Sequence, residues 1–280
     1  MMALVRYEPR HPLGYIVLAR PEQGNAVGAA MLADLDAALA TAEQETDAKV
    51  VILCAEGPDF CVGADPAEPW PFALLPDPRR TVPLREALEA ERQRNRRLEF
   101  WLNFQRPTIA AVRGRCLGFG LHLAMGSNLV FASDDAVFGD PSVAMDQLPQ
   151  QPLIVWLVGP RVAYDLFLTG RDFTAAEAER VGLINGAVPA EQLDELVERY
   201  ARAMALCPAD GLAFAKESLA AMMEARGVGS AYRFTADMSL LARQAQGQLG
   251  PGELDFRAIA EQAGLDAALA ERDATRRFFE

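Results

Sequence analysis

The chain has 280 residues, 51% hydrophobic and 24% charged, with a formal net charge of −12 at neutral pH. That composition excludes a disordered chain, and the length suffices for one large α/β domain or a core domain with an appendage. So acidic a balance argues against nucleic acid or an anionic membrane as partner, since both demand a basic surface, and any anionic ligand must be held by local donors. The N-terminus lacks an apolar stretch behind a basic segment, and no apolar run is long enough for a bilayer span. The expectation is a cytoplasmic chain without signal peptide or membrane segment. Four cysteines (Cys54, Cys61, Cys116, Cys207) form no CxxC pair and only two histidines exist, so free buried thiols are expected and a metal site is not.

Residues 3–8 and 14–19 flank Pro9 to Gly14 and read as a hairpin. Asn25 is placed to cap a helix with Met31, Leu32, Leu35 and Leu39 on one face. Val50 to Cys54 is a β-branched run, the mark of a buried strand. Pro58 to Pro83, rich in Pro, Gly and Asp around Trp70 and Phe72, reads as a long functional loop. A charged helix from about Leu84 to Phe104 follows, then a second buried strand from Thr108 to Val112, a helix from Leu121 to Met125 and a strand from Leu129 to Ala132. Thr174 with Glu177 makes a capping box, and Gly182 closes that short helix. Beyond Glu191 the pattern is helical nearly to the end, broken at Pro208 and in 247–252. The division expected is a strand–helix core over 1–190 and a helical region over 191–280.

Two strand exits concentrate small residues. Asp59-Phe60-Cys61-Val62-Gly63-Ala64-Asp65 follows the first buried strand, and Gly114 to Ala124, with Gly118-Phe119-Gly120 at its centre, follows the second. Glycines there suit a sharp turn and a close approach. The second turn also opens a helix, whose free N–H groups favour an oxyanion. Two backbone amides converging from separate turns would form an oxyanion hole, a large contribution to catalysis at a carbonyl.

In chain order come Arg20-Pro21-Glu22-Gln23-Gly24-Asn25-Ala26, the Phe60–Asp65 turn, Ala110 to Gly120, Phe138-Gly139-Asp140-Pro141, and Leu168 to Asn185. This succession resembles the crotonase superfamily, the enoyl-CoA hydratase/isomerase group, in register over residues 3–225. The last helix fits more loosely, with Glu271-Arg272 where that family carries Lys-Arg. The resemblance implies an α/β fold, a crotonase (ClpP/crotonase-like) spiral of ββα units with a C-terminal helical trimerisation region, assembled as a homotrimer or hexamer. It implies an acyl-CoA substrate, with coenzyme A entering as part of it and no permanently bound cofactor. By the same resemblance the amides of Ala64 and Phe119 form the oxyanion hole. Glu22, Gln23, Gly24, Ala26, Gly63 and Asp65 would lie along CoA, with Arg272, Arg276 and Arg277 as phosphate contacts and the 65–82 loop lining the acyl end.

The chain departs from its family where hydration is performed. Hydratases of the group carry glutamates at the positions held here by His122 and Ser142. Hydration needs one group to activate water and another to deliver a proton. His122, with an ordinary pKa of about 6.5, can exchange protons near neutrality. Asp146 and Asp140 are placed to orient it or to act on substrate, and Ser142 is a nucleophile only if a base lies within reach. Three other readings stay open: a CoA-thioester or C–C bond hydrolase using His122, a silent acyl-CoA-binding homologue, and a serine peptidase. The last is disfavoured by the lack of a serine beside a His–acid pair in the second turn.

Overall fold

A computed structural model describes residues 3–65, 83–149, 151–245 and 248–279. The expected hairpin forms from β1 (Val5–Arg10) and β2 (Leu13–Leu18), paired antiparallel. The helix α1 (Ala29–Gln44) buries Met31, Leu32, Leu35 and Leu39 as its periodicity predicts. Its cap differs from expectation: the N-cap is Gly28, not Asn25. Asn25 is fully buried in a left-handed conformation (φ 54°). Its side chain accepts from Arg20 N (2.8 Å) and donates to the carbonyls of Glu56 (3.0 Å) and Asp59 (2.8 Å). Those long-range bonds consume the groups that a cap would use.

The expected strands appear as β3 (Val50–Ala55) and β4 (Thr108–Val112), with α2 (Leu84–Leu102) between them. Then follow β5 (Arg115–Leu117), α3 (Phe119–Met125), β6 (Leu129–Ser133) and β7 (Val137–Gly139). Two short helices, α4 (Leu153–Val158) and α5 (Pro160–Thr169), lead to β8 (Phe173–Thr174), α6 (Ala175–Arg180) and β9 (Gly186–Val188). Thr174 caps α6 by accepting from Glu177 N. The helices α7 (Leu193–Ala205), α8 (Ala209–Ala225), α9 (Val228–Ala245), α10 (Phe256–Ala263) and α11 (Leu265–Arg276) complete the chain.

One sheet runs β1-β2-β3-β4-β6-β9, parallel after the first pair, and a second runs β5-β7-β8. The chain lays one strand in each sheet and then a helix, so β4-β5-α3 and β6-β7 are successive turns of one spiral. A lone bridge between Cys61 and Cys116 extends the small sheet to the turn before. This is the expected crotonase spiral of ββα units, an α/β fold with a helical C-terminal region. Strands covered on both faces must be apolar on both. Val51 and Leu53 accordingly join the core cluster that holds the buried residues of α1 and α3, while Val50 and Ile52 join Leu193, Val197, Ala201 and Ala205 of α7 in a second. No helix among the described residues is long and apolar enough to cross a membrane.

Candidate functional site

The segments singled out at the two strand exits are interlocked. Cys61 N donates to Arg115 O (3.0 Å) and Leu117 N to Cys61 O (2.9 Å), so the first turn and β5 run side by side. The Asp59 carboxylate takes the Arg115 side chain through Nε (2.9 Å) and Nη2 (2.7 Å), and also accepts Arg115 N. This pairing holds Asp59 below the usual carboxylate range, against the opposing effect of burial. Gly120 lies so close to the first turn that a Cβ there would stand 2.5 Å from Cys61 O.

The two turns also meet at Gly63 (φ 104°) and Gly118 (φ 50°), where a Cβ on Gly118 would sit 3.6 Å from Gly63 Cα. The residues that follow are Ala64 and Phe119, whose amides are the pair expected to converge. Neither amide donates to a backbone carbonyl among the described residues. Phe119 is the first residue of α3, where no intrahelical acceptor exists.

The 20–26 segment lies along the first turn. Val62 N donates to Gly24 O (3.0 Å), Val27 N to Gly63 O (2.8 Å) and Asp65 N to Val27 O (2.9 Å). Glu22 and Gln23 are exposed in a short 3₁₀ turn, Gly24 (φ 57°) ends it, and Ala26 is buried. Asp65 is buried against Arg20, which donates from Nη1 to its Oδ2 (2.7 Å) and to Ala26 O (3.0 Å). The six residues expected along CoA are thus contiguous, although the Asp65 carboxylate is directed at Arg20.

His122 sits one turn after Phe119 on the wholly buried α3, on the same helical face. Its Nε2 lies 3.0 Å from Asp140 Oδ2, and Asp140 is completely buried. The register places that aspartate: Leu117 pairs with Gly139 across β5 and β7, and Gly118 N donates to Gly139 O (2.9 Å). Ser142 closes onto Asp140 from the other side, its backbone N (3.0 Å) and its hydroxyl both donating to Oδ1. The base within reach of Ser142 is therefore a carboxylate already engaged by His122. Asp146 is exposed, left-handed (φ 54°) and not hydrogen-bonded to His122.

Two further residues support His122 without any local sequence signal. Gln151 Nε2 donates to the His122 carbonyl (2.9 Å), and Tyr232 of α9 donates its hydroxyl to Gln151 Oε1 (2.6 Å). Among the arginines expected at phosphates, Arg276 is buried and paired with Asp172 and Asp273, and Arg272 pairs with Asp273. The 66–82 stretch, with Trp70 and Phe72, falls outside the described residues. Among those described, the grouping able to ligate a metal is His11, Glu45 and Asp47, near the starts of β2 and β3 and away from these turns.

A ββα spiral with glycine turns at the strand exits and a helical C-terminal region defines a protein of the crotonase fold. The chain belongs to the enoyl-CoA hydratase/isomerase family, whose description it matches over residues 9–248. It is similar to a solved enoyl-CoA hydratase/isomerase from Xanthobacter autotrophicus Py2, 29% identical, with 98% of each chain covered and a TM-score of 0.86. A Mycobacterium tuberculosis protein named a probable enoyl-CoA hydratase is 30% identical over 80% of this chain and 82% of its own length. An enoyl-CoA hydratase structure from Mycobacterium smegmatis shares the fold at 24% identity, with a TM-score of 0.85 over 98% of this chain.

Proposed function

We propose that the chain binds an acyl-CoA thioester, holds its carbonyl oxygen between the amides of Ala64 and Phe119, and moves a proton at the acyl carbons with His122. The apposition of Gly63 and Gly118 is the observation that supports this reading, because each glycine is followed by one of the two proposed donors. Donors fixed in advance stabilise an enolate oxygen more than the neutral carbonyl, and so lower the barrier to α-proton removal. His122 lies on the face of α3 that begins with Phe119, so its ring is the proton carrier nearest that pair along the helix. With histidine and serine where family hydratases carry two glutamates, the site is equipped for one-base enolate chemistry rather than hydration. Glu22, Gln23, Gly24 and Ala26 line the side where the CoA moiety enters, with Gly63 and Asp65 holding the turn beside it. Asp146 has no part in this reading.

The test uses butyryl-CoA in deuterated buffer, which asks only for enolate formation. Exchange of the α-protons, abolished by His122→Ala with coenzyme A affinity retained, is the expected result. Binding without exchange would mean a silent homologue, and release of free coenzyme A would mean a hydrolase. The helical region from 191 onward is read as the assembly region of a homotrimer or hexamer. That reading is supported by α8, which buries none of its residues and exposes Phe214, Leu219 and Met222.

A further inference from the structure

We infer that Asp140, locked in place by Ser142, is a positioning residue that assigns the two nitrogens of His122 their tasks: Nε2 carries the proton and Nδ1 faces the chemistry. The inference rests on the proposed function for the role of His122, but the pairing stands on geometry alone. An ionised carboxylate only accepts hydrogen bonds, so the nitrogen 3.0 Å from Asp140 Oδ2 must be the protonated one. In the neutral ring the lone pair then lies on Nδ1, which has no hydrogen-bond partner among the described residues. That nitrogen is the base that removes a substrate proton, and its imidazolium product gains from the buried carboxylate behind it.

Ser142 makes the assignment rigid. Its amide and hydroxyl both donate to Asp140 Oδ1, so one carboxylate oxygen is saturated from the serine side while the other is kept for the ring. The serine that replaces a family glutamate is therefore no nucleophile but the clamp on the residue that orients the base. Gln151 and Tyr232 add a second restraint through the His122 carbonyl, fixing the backbone from which the ring projects.

The arrangement makes Asp140→Asn directional. Two donors from Ser142 demand an acceptor, so the asparagine carbonyl must take the Oδ1 position and its NH₂ must face His122. The amide then donates to Nε2, the ring proton moves to Nδ1, and the base is lost although the fold and shape are kept. The chain has only two histidines, so ¹⁵N-histidine-labelled protein gives two imidazole spin systems, and His122→Ala assigns them. The expected result is protonated Nε2 and bare Nδ1 on His122 in wild type and in Ser142→Ala, with the reverse in Asp140→Asn. Exchange of butyryl-CoA α-protons by Asp140→Asn should fall by about 10²–10⁴-fold, with coenzyme A affinity unchanged.

A wild-type ring protonated on Nδ1 would overturn the inference without any variant, as would Asp140→Asn keeping the wild-type tautomer or the wild-type exchange rate. The ring spectra need no substrate. A wild type with the expected tautomer that exchanges no α-proton therefore counts against the acyl-CoA reading and leaves the pairing intact.

Discussion

The two strand-exit turns and the helix α8 are opposite solutions for a stretch of chain. In the turns, backbone packs on backbone: Gly120 touches Cys61, Gly63 touches Gly118, and Asp59 and Asn25 tie the carbonyls and amides of neighbouring segments. Among the described residues, the amides of Ala64 and Phe119 donate to no backbone carbonyl, and the Nδ1 of His122 has no hydrogen-bond partner. The 17 residues of α8 bury none of their side chains, and Phe214 and Leu219 are 70% and 63% exposed. An apolar face of that kind is a surface awaiting cover. The difference teaches that the turns are held by contacts within the chain, whereas α8 presents an apolar face that the proposed assembly would cover.

Breaking the turns should have the largest effect. Gly120→Ala forces a methyl to 2.5 Å from Cys61 O, and relieving it must pry the two turns apart. We expect a stability loss of about 1–3 kcal/mol in denaturant unfolding. The α-proton exchange should fall by about 10²-fold or more, because one oxyanion donor moves. Wild-type exchange in a stable Gly120→Ala protein would mean that the apposition does not set the site.

The opposite end should respond in mass rather than in folding. Phe214→Glu with Leu219→Glu places charge on the open face of α8 and should shift sedimentation from a trimer or hexamer toward monomer, with the far-ultraviolet circular dichroism retained. An unchanged mass would remove α8 from the assembly surface.

A smaller effect sharpens the comparison through pH. Asp59 is held below its ordinary carboxylate range by Arg115. Its contribution is thus fully present above about pH 4, the unfolded range, and is lost as pH falls through the depressed folded value. Hydrogen bonds to a charged group contribute about 1.5–3 kcal/mol, and Asp59→Asn should flatten that part of the acid-unfolding curve. An identical acid limb in the variant would place the stabilisation elsewhere.

The smallest effect is chemical. Burial pushes the Cys61 thiol up to about 12 and holds that of Cys116 well above its usual value, whereas Cys207 is exposed. An alkylating agent at neutral pH should modify Cys207 and spare the pair between the turns. Rapid labelling of Cys61 would reveal turns that open readily.

The strands were legible because a parallel strand covered on both faces must be a continuous apolar run, as Val50–Ala55 and Thr108–Val112 are. The cap at Thr174 was legible because its partner, Glu177 N, lies three residues on, although the Glu177 carboxylate takes Arg171 rather than closing the box. Asn25 misled for the opposite reason: it looks like a cap, yet its side chain is claimed by Glu56 and Asp59, 31 and 34 residues away. At the site, His122, Asp140 and Ser142 were visible as candidates, but their pairing depends on Leu117 lying opposite Gly139. Gln151 and Tyr232 carried no signal, since a glutamine–tyrosine contact across 81 residues follows no local pattern. All four cysteines are free as expected, but only Cys61 and Cys116 are buried, Cys54 is half-buried, and Cys207 lies at the surface beside the break before α8.

The Asp140–Ser142 clamp also constrains evolution. Exchanging His122 for glutamate alone would press a second carboxylate against a buried one, and like charges so placed cannot both ionise. Exchanging Ser142 for glutamate alone would strip the hydroxyl from Asp140 and crowd it with negative charge. Each one-step path toward the two-glutamate pattern passes through a compromised intermediate, so residues 122, 140 and 142 must change as a block. The clamp thus binds three positions into one unit, and a glutamate at either 122 or 142 is tolerated only when Asp140 changes with it.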